Sequence, residues 1–264
     1  MNRLFTVAVL FMLVGFAGIA HGEEASFRAI AFYCTTVERA HVQFAEDAIS
    51  FYGKLAAEKH FTFESTTDWS MMNKENLAKY QVVLCLNDSP HAKEQQAAFQ
   101  NYMEHGGAWL GFHVSGYNDK NTKWTWFVQF LGGAVFHSNN WPLEPGKIKL
   151  IVDTNDHPVT RRLPKTYDAP PNEFYQWEPS PRLNKDVQVL VTLDPSNYPL
   201  GKKVVLSSGD IPVVWTNTKY HMVYMVMGHG DESGIFSSPI QNILFEDALL
   251  WLGEKNGSPK SDHP

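Results

Sequence analysis

The first half of the chain alternates short apolar runs with longer stretches whose apolar positions recur every three or four residues. Residues 27–33 and 61–65 predict strands, and residues 42–59 between them predict a helix. The pattern repeats: 73–80 reads as a short helix, 82–86 as a buried strand, 92–105 as a helix closed by Gly106-Gly107, and 108–112 as a fourth strand. Strands separated by helices require crossover connections, which favour parallel pairing with helices on both faces. The expectation is an α/β fold: a doubly wound, mostly parallel sheet in three layers. Ligands in such sheets gather beyond the carboxyl ends of the strands, so the segments after Tyr33, Leu86 and Phe112 are where a site is expected.

The second half is less regular. Trp124, Trp126, Phe127 and Phe130 suit a short helix within 122–131 whose aromatic stripe joins the core. Strand-like alternation returns at 147–153 and 187–193, separated by Pro-rich connections at 168–171 and 179–181. Residues 213–216 and 222–227 predict two strands joined by a polar turn at 217–220 and running into Gly228-His229-Gly230. An amphipathic helix is expected over 239–252. With no internal repeat and no linker, residues 23–256 read as one domain and 257–264 as a frayed polar tail.

The start of the chain has a different character. Arg3, an apolar run over 4–19 and Ala20-His21-Gly22 form a signal peptide covering 1–22. This predicts export to a periplasm or the cell exterior, with no stable membrane insertion after cleavage. An uncleaved anchor is the rival reading, against which the run is short and lacks stop-transfer charges. Of 264 residues 44% are hydrophobic, and the net charge of -6 gives no electrostatic footprint for nucleic acid. Two cysteines, Cys34 and Cys85, cannot staple a fold of this size, so it must rest on its core. They are read as two small buried thiols, although both end apolar runs and a bridge between them stays open.

Candidate chemistry lies in a few short stretches. In Gly111-Phe112-His113-Val114-Ser115-Gly116, small residues frame a histidine at a strand end, the spacing of a nucleophile elbow with His in the exposed place. His137 and His229 also stand at element ends, and three such imidazoles can meet in space. Their wide separation is not a local zinc motif, so no cofactor is assigned and a divalent metal such as zinc is a geometric option only. In Asn172-Glu173-Phe174-Tyr175-Gln176-Trp177, aromatic neighbours would raise a carboxylate pKa and offer stacking faces to a sugar, which makes Glu173 an acid or base candidate beside Tyr175 and Trp177. His41 is expected in the loop before the first helix, on the same sheet edge as His113. His157, in Asp156-His157-Pro158, fits a turn cap. No cysteine occupies the elbow and neither dinucleotide nor Walker fingerprints occur, so thiol catalysis, dinucleotide binding and ATP hydrolysis lack support.

Taken together, Gly106 through His113, Trp126 through Gly133 with His137, Asp156 through Thr160, Asn172-Glu173-Phe174-Tyr175, and Pro212 through Gly230 resemble the trehalose-utilisation (ThuA-like) family. Its domain is related to the flavodoxin-like, class I glutamine amidotransferase-like fold. The resemblance covers nearly all of the chain after residue 26. It implies that His113 stands where amidotransferases keep a nucleophilic cysteine, so glutamine hydrolysis is not expected. It also implies a small sugar substrate, a 3-keto-glycoside being the most concrete class, and a functional link to a sugar 3-dehydrogenase. His113, His229 and Glu173 are then the catalytic set, with His41, His137, Tyr175 and Trp177 binding substrate. A lyase, hydrolase or isomerase of keto-glycosides using histidine acid–base chemistry is the leading expectation. A non-catalytic carbohydrate-binding module and a metal-dependent hydrolase are the alternatives. The family often has Asp where this chain has Asn172, which leaves that position without an assigned role.

Overall fold

The computed structural model describes residues 26–141, 146–198, 209–230 and 234–254. The expected signal peptide and tail lie outside them. Among the described residues no helix is long and apolar enough to cross a membrane.

Strand β1 (Arg28–Phe32) leads through a short loop into helix α1 (Arg39–Lys59), and β2 (Thr62–Thr66) returns parallel to β1. Phe44, Ala48, Tyr52 and Leu55 recur at helical spacing on α1 and are buried against the sheet. Helix α2 (Lys74–Leu77) precedes β3 (Val82–Cys85), which is buried on both faces as a central parallel strand requires. Helix α3 (Lys93–Glu104), β4 (Ala108–Phe112) and α4 (Thr125–Phe130) follow.

Past α4 the chain makes β5 (Phe136–Asn139), β6 (Ile148–Val152), β7 (Thr166–Ala169), β8 (Tyr175–Trp177) and β9 (Val187–Leu193). The hairpin of β10 (Pro212–Asn217) and β11 (His221–Met225) precedes α5 (Pro239–Gly253). Ser238 caps α5 through its hydroxyl, which accepts from the Gln241 N–H, and Pro239 sits at the first helical position.

Nine strands form one mixed sheet in the order β2-β1-β3-β4-β11-β10-β9-β6-β7, and β5 pairs with β8 in a separate small sheet. The neighbours from β2 to β11 pair in parallel, and those from β11 to β7 pair antiparallel. Alternation along β4 divides the core. Phe112 faces α1 and α5, touching Phe44 and Phe245, whereas Trp109 faces α3 and α4, touching Phe99 and Phe130. The result is the expected three-layer α/β architecture.

Strands β5, β7 and β8 were absent from the sequence reading. Each has only three or four residues, and β8 lies between proline-containing connections, so neither periodicity nor composition marks it. Both cysteines are free thiols, Cys85 buried and Cys34 half-buried.

Candidate metal centre

The carboxyl ends of the parallel strands converge on one edge of the sheet, and three histidines sit there. β4 ends in His113, whose φ of 46° is a left-handed conformation that side chains rarely adopt. The surroundings hold it there: the Ser115 hydroxyl accepts from the Phe112 N–H at 2.8 Å, and the Tyr224 hydroxyl donates to the His113 carbonyl at 2.6 Å. A Cβ at Gly228 would collide with His113, so the close passage of the β11 exit past the elbow requires glycine. The sharp turn expected from the Gly-x-His-x-Ser spacing is present.

That exit carries His229. Gly230 donates to the Ala40 carbonyl at 3.0 Å, and a Cβ there would strike the backbone of α1, which brings His229 against the start of the helix. His41 lies in the first turn of α1 and not in the preceding loop, because the Glu38 carbonyl already accepts from His41 and Val42. It is buried, with Nε2 3.0 Å from His229 Nε2. Glu173 arrives from the other side, on the segment between β7 and β8. Its Oε2 lies 2.9 Å from His113 Nε2 and 3.1 Å from His229 Nε2.

One ligand atom from each of His41, His113, Glu173 and His229 lies within 4.8 Å of all the others, and all four residues are buried. Bonds of about 2.1 Å to one tetrahedral ion put ligand atoms about 3.4 Å apart, and three contacts within the cluster, at 2.9, 3.0 and 3.1 Å, are near that spacing.

The protons make a second argument. His113 Nδ1 is 2.7 Å from the Val226 carbonyl, which can only accept, so Nδ1 carries a proton. Burial holds His113 below the ordinary histidine range despite the opposing pull of Glu173. Burial, reinforced by the neighbouring imidazoles, holds His41 down to about 3. Burial pushes the Glu173 carboxyl up, but the hydrogen bonds with His113 and His229 outweigh it and hold the group at about 2. Three imidazoles and one carboxylate are the nitrogen and oxygen donors that divalent metals take, which is why this donor set fits one.

Neighbouring groups brace the site. Tyr175 is buried, its hydroxyl 3.1 Å from His113 Nε2, and burial and Glu173 keep its proton on. Asn172, which the sequence left without a role, accepts from the Gly228 N–H through its side chain at 3.2 Å. An amide oxygen does this as well as a carboxylate, so Asn172 positions the His229 segment. Asn140 accepts from the Phe174 N–H at 2.6 Å and donates to the Asn172 carbonyl, anchoring the Glu173 segment. Only the tertiary structure singles out Asn140, since nothing in Ser138-Asn139-Asn140-Trp141 marks it.

Two expected substrate contacts lie elsewhere. His137 is exposed on β5, with Nε2 3.4 Å from Glu178, because the alternation of this strand turns it away from the cluster. Trp177 is a core residue packed on Tyr175, Trp215 and Tyr224, with no face open for a sugar ring. His157 packs on Trp251, also away from the cluster. A cavity of about 500 Å³ at the opposite end of the strands, lined in part by Tyr102, His105 and His221, contains none of the four ligands.

The fold is a three-layer, amidotransferase-like α/β domain with a buried cluster of three histidines and one glutamate at the carboxyl ends of its parallel strands. The ThuA family, described as trehalose utilisation, matches residues 29–252, and the chain belongs to that family. It is 49% identical to a ThuA-like protein from Bacteroides uniformis, covering 90% of this chain and 97% of that one with a TM-score of 0.84. A ThuA-like protein from Parabacteroides merdae, 16% identical, shares the fold with a TM-score of 0.64 over 90% of this chain and 93% of that one. A β-galactosidase from Bacillus circulans shares the fold alone, at 12% identity and a TM-score of 0.53, over 91% of this chain and 33% of that one. No curated protein matches the chain.

Proposed function

We propose that this protein is an exported, metal-dependent enzyme of carbohydrate catabolism that acts on a disaccharide-derived sugar bearing a carbonyl, of the 3-keto-glycoside class. The observation that carries the reading is the buried set of three imidazole nitrogens and one carboxylate oxygen within 4.8 Å of one another. His41, His113, Glu173 and His229 would hold the cation. When bound, it supplies Lewis-acid polarisation of a carbonyl or hydroxyl oxygen. The protein's own groups then have defined tasks. The Val226 carbonyl fixes the His113 tautomer, Asn172 holds the His229 segment, and the Tyr175 hydroxyl offers a proton beside His113 Nε2. The carbohydrate reading is supported by membership of a family described as trehalose utilisation.

The test is metal analysis of protein purified without chelator, with an NMR time course on 3-keto-disaccharides and their unoxidised parents. About one divalent ion per chain and turnover that stops on chelation are expected. Turnover that survives complete metal removal would return His113 and His229 to acid–base roles. Binding without turnover, metal present, would favour a carbohydrate-binding module. Export rests on the apolar start of the sequence, and the N-terminal residue of the secreted protein checks it.

A further inference from the structure

Next to the cluster, on its solvent side, is a cavity of about 620 Å³ lined by Glu38, Arg39, Gln43, Asp47, Trp141 and Gly230. It borders the centre directly, since Gly230 follows His229 and Glu38 lies 4.0 Å from His41 Nδ1. Trp141 is 39% exposed, one of only four large hydrophobic residues so exposed among those described, and its ring centre lies 5.0 Å from that of His229. Trp141 packs on His229 and leaves part of its ring exposed at the cavity, where it offers a face to a ligand.

We infer that this cavity is the substrate-docking subsite, with Trp141 as the stacking platform for a neutral, unphosphorylated sugar ring; the inference rests on the carbohydrate reading above. The volume lies within the range of sites that enclose small ligands. The rim carries the groups that hydroxyls need: carboxylate acceptors on Glu38 and Asp47, the Arg39 guanidinium as donor, and the Gln43 amide, which donates to Asp47 at 3.1 Å. Two carboxylates against one guanidinium leave the rim with one excess negative charge, outside the cluster that would hold the cation. A phosphate group on a sugar seated at this rim would be repelled, so the rim charge selects against phosphosugars of the same shape.

The experiment is calorimetric titration of the mature protein with trehalose and with trehalose 6-phosphate, for the wild type, Trp141→Ala and Trp141→Phe, with metal content measured in each. The wild type should bind trehalose more tightly than the phosphate ester. Trp141→Ala should weaken trehalose binding about tenfold, and Trp141→Phe should restore most of it, with metal content unchanged. Equal trehalose affinity in the wild type and Trp141→Ala would overturn the inference. So would tighter binding of the phosphate ester, or no binding of trehalose by the wild type. The outcomes separate the two readings: Trp141-dependent binding without metal or turnover leaves the subsite standing and sinks the metal-enzyme reading. An active metalloprotein indifferent to Trp141 does the reverse.

Discussion

The two halves of the sheet are built by different means. From β2 to β11 the strands run parallel with helices on both faces, and β1, β3, β4 and β11 are largely apolar and buried. From β11 to β7 they run antiparallel, joined by loops, and one side-chain network ties them together. In it Arg182 reaches Asp153 at 2.7 Å, Asp210 at 2.9 Å and Thr192 at 2.6 Å. The imidazoles come from the parallel half, each at an element end set by the core. The carboxylate comes from a loop of the other half, held by Asn140. The parallel half presents the imidazoles, and the antiparallel half closes the cluster with the carboxylate.

The largest effect expected from breaking this arrangement is in the parallel core. Trp109 is fully buried among Phe99, Phe127, Phe130 and Tyr224, so Trp109→Ala should cost about 3–5 kcal/mol in chemical denaturation. A loss below about 1 kcal/mol would mean that this half does not carry the fold. Next, His113→Ala should lower metal affinity by about 100-fold or more, while the circular dichroism spectrum stays native. Full metal occupancy in that variant would remove His113 from the centre.

Arg182→Ala should loosen only the antiparallel half. It is expected to lower stability by about 1–2 kcal/mol and speed amide exchange in β9 and β10, with metal content unchanged. Tyr175→Phe removes one hydroxyl beside His113, and turnover should fall about tenfold with the metal retained. Undiminished turnover would reduce Tyr175 to packing.

The smallest expected effect concerns the seam where α5 meets β11. Burial holds His221 and His157 down to about 4, against 6.5 in the unfolded chain. The unfolded state therefore binds more protons between those values. Their contribution is complete above pH 6.5 and is lost as pH falls toward 4. In urea titrations at pH 7.5 and pH 4.5, His221→Phe should lose about 1–2 kcal/mol less than the wild type. Equal losses would show that His221 is not held neutral.

The parallel half was legible because its signals are local. Apolar runs of strand length, helices with a 3.6-residue period and Gly106-Gly107 after α3 all lie within a few residues, and β1, β3, β4, α3 and α5 fall where those patterns put them. Gly111-x-His113-x-Ser115 marked the elbow for the same reason. The short strands β5, β7 and β8 were not legible, because their pairing is decided by partners distant in sequence.

The sequence by itself therefore determined the layers, the parallel core, the family, His113 and His229 at element ends, and Glu173 as a carboxylate candidate among aromatics. Only the tertiary structure decided that His41, 188 residues before His229, joins the cluster, that His137 and Trp177 do not, and that Trp141 stands beside it. The physical reason is range. Propensity and periodicity act over a turn or a strand, whereas a coordination shell is assembled by sheet order and loop closure, which no local pattern encodes.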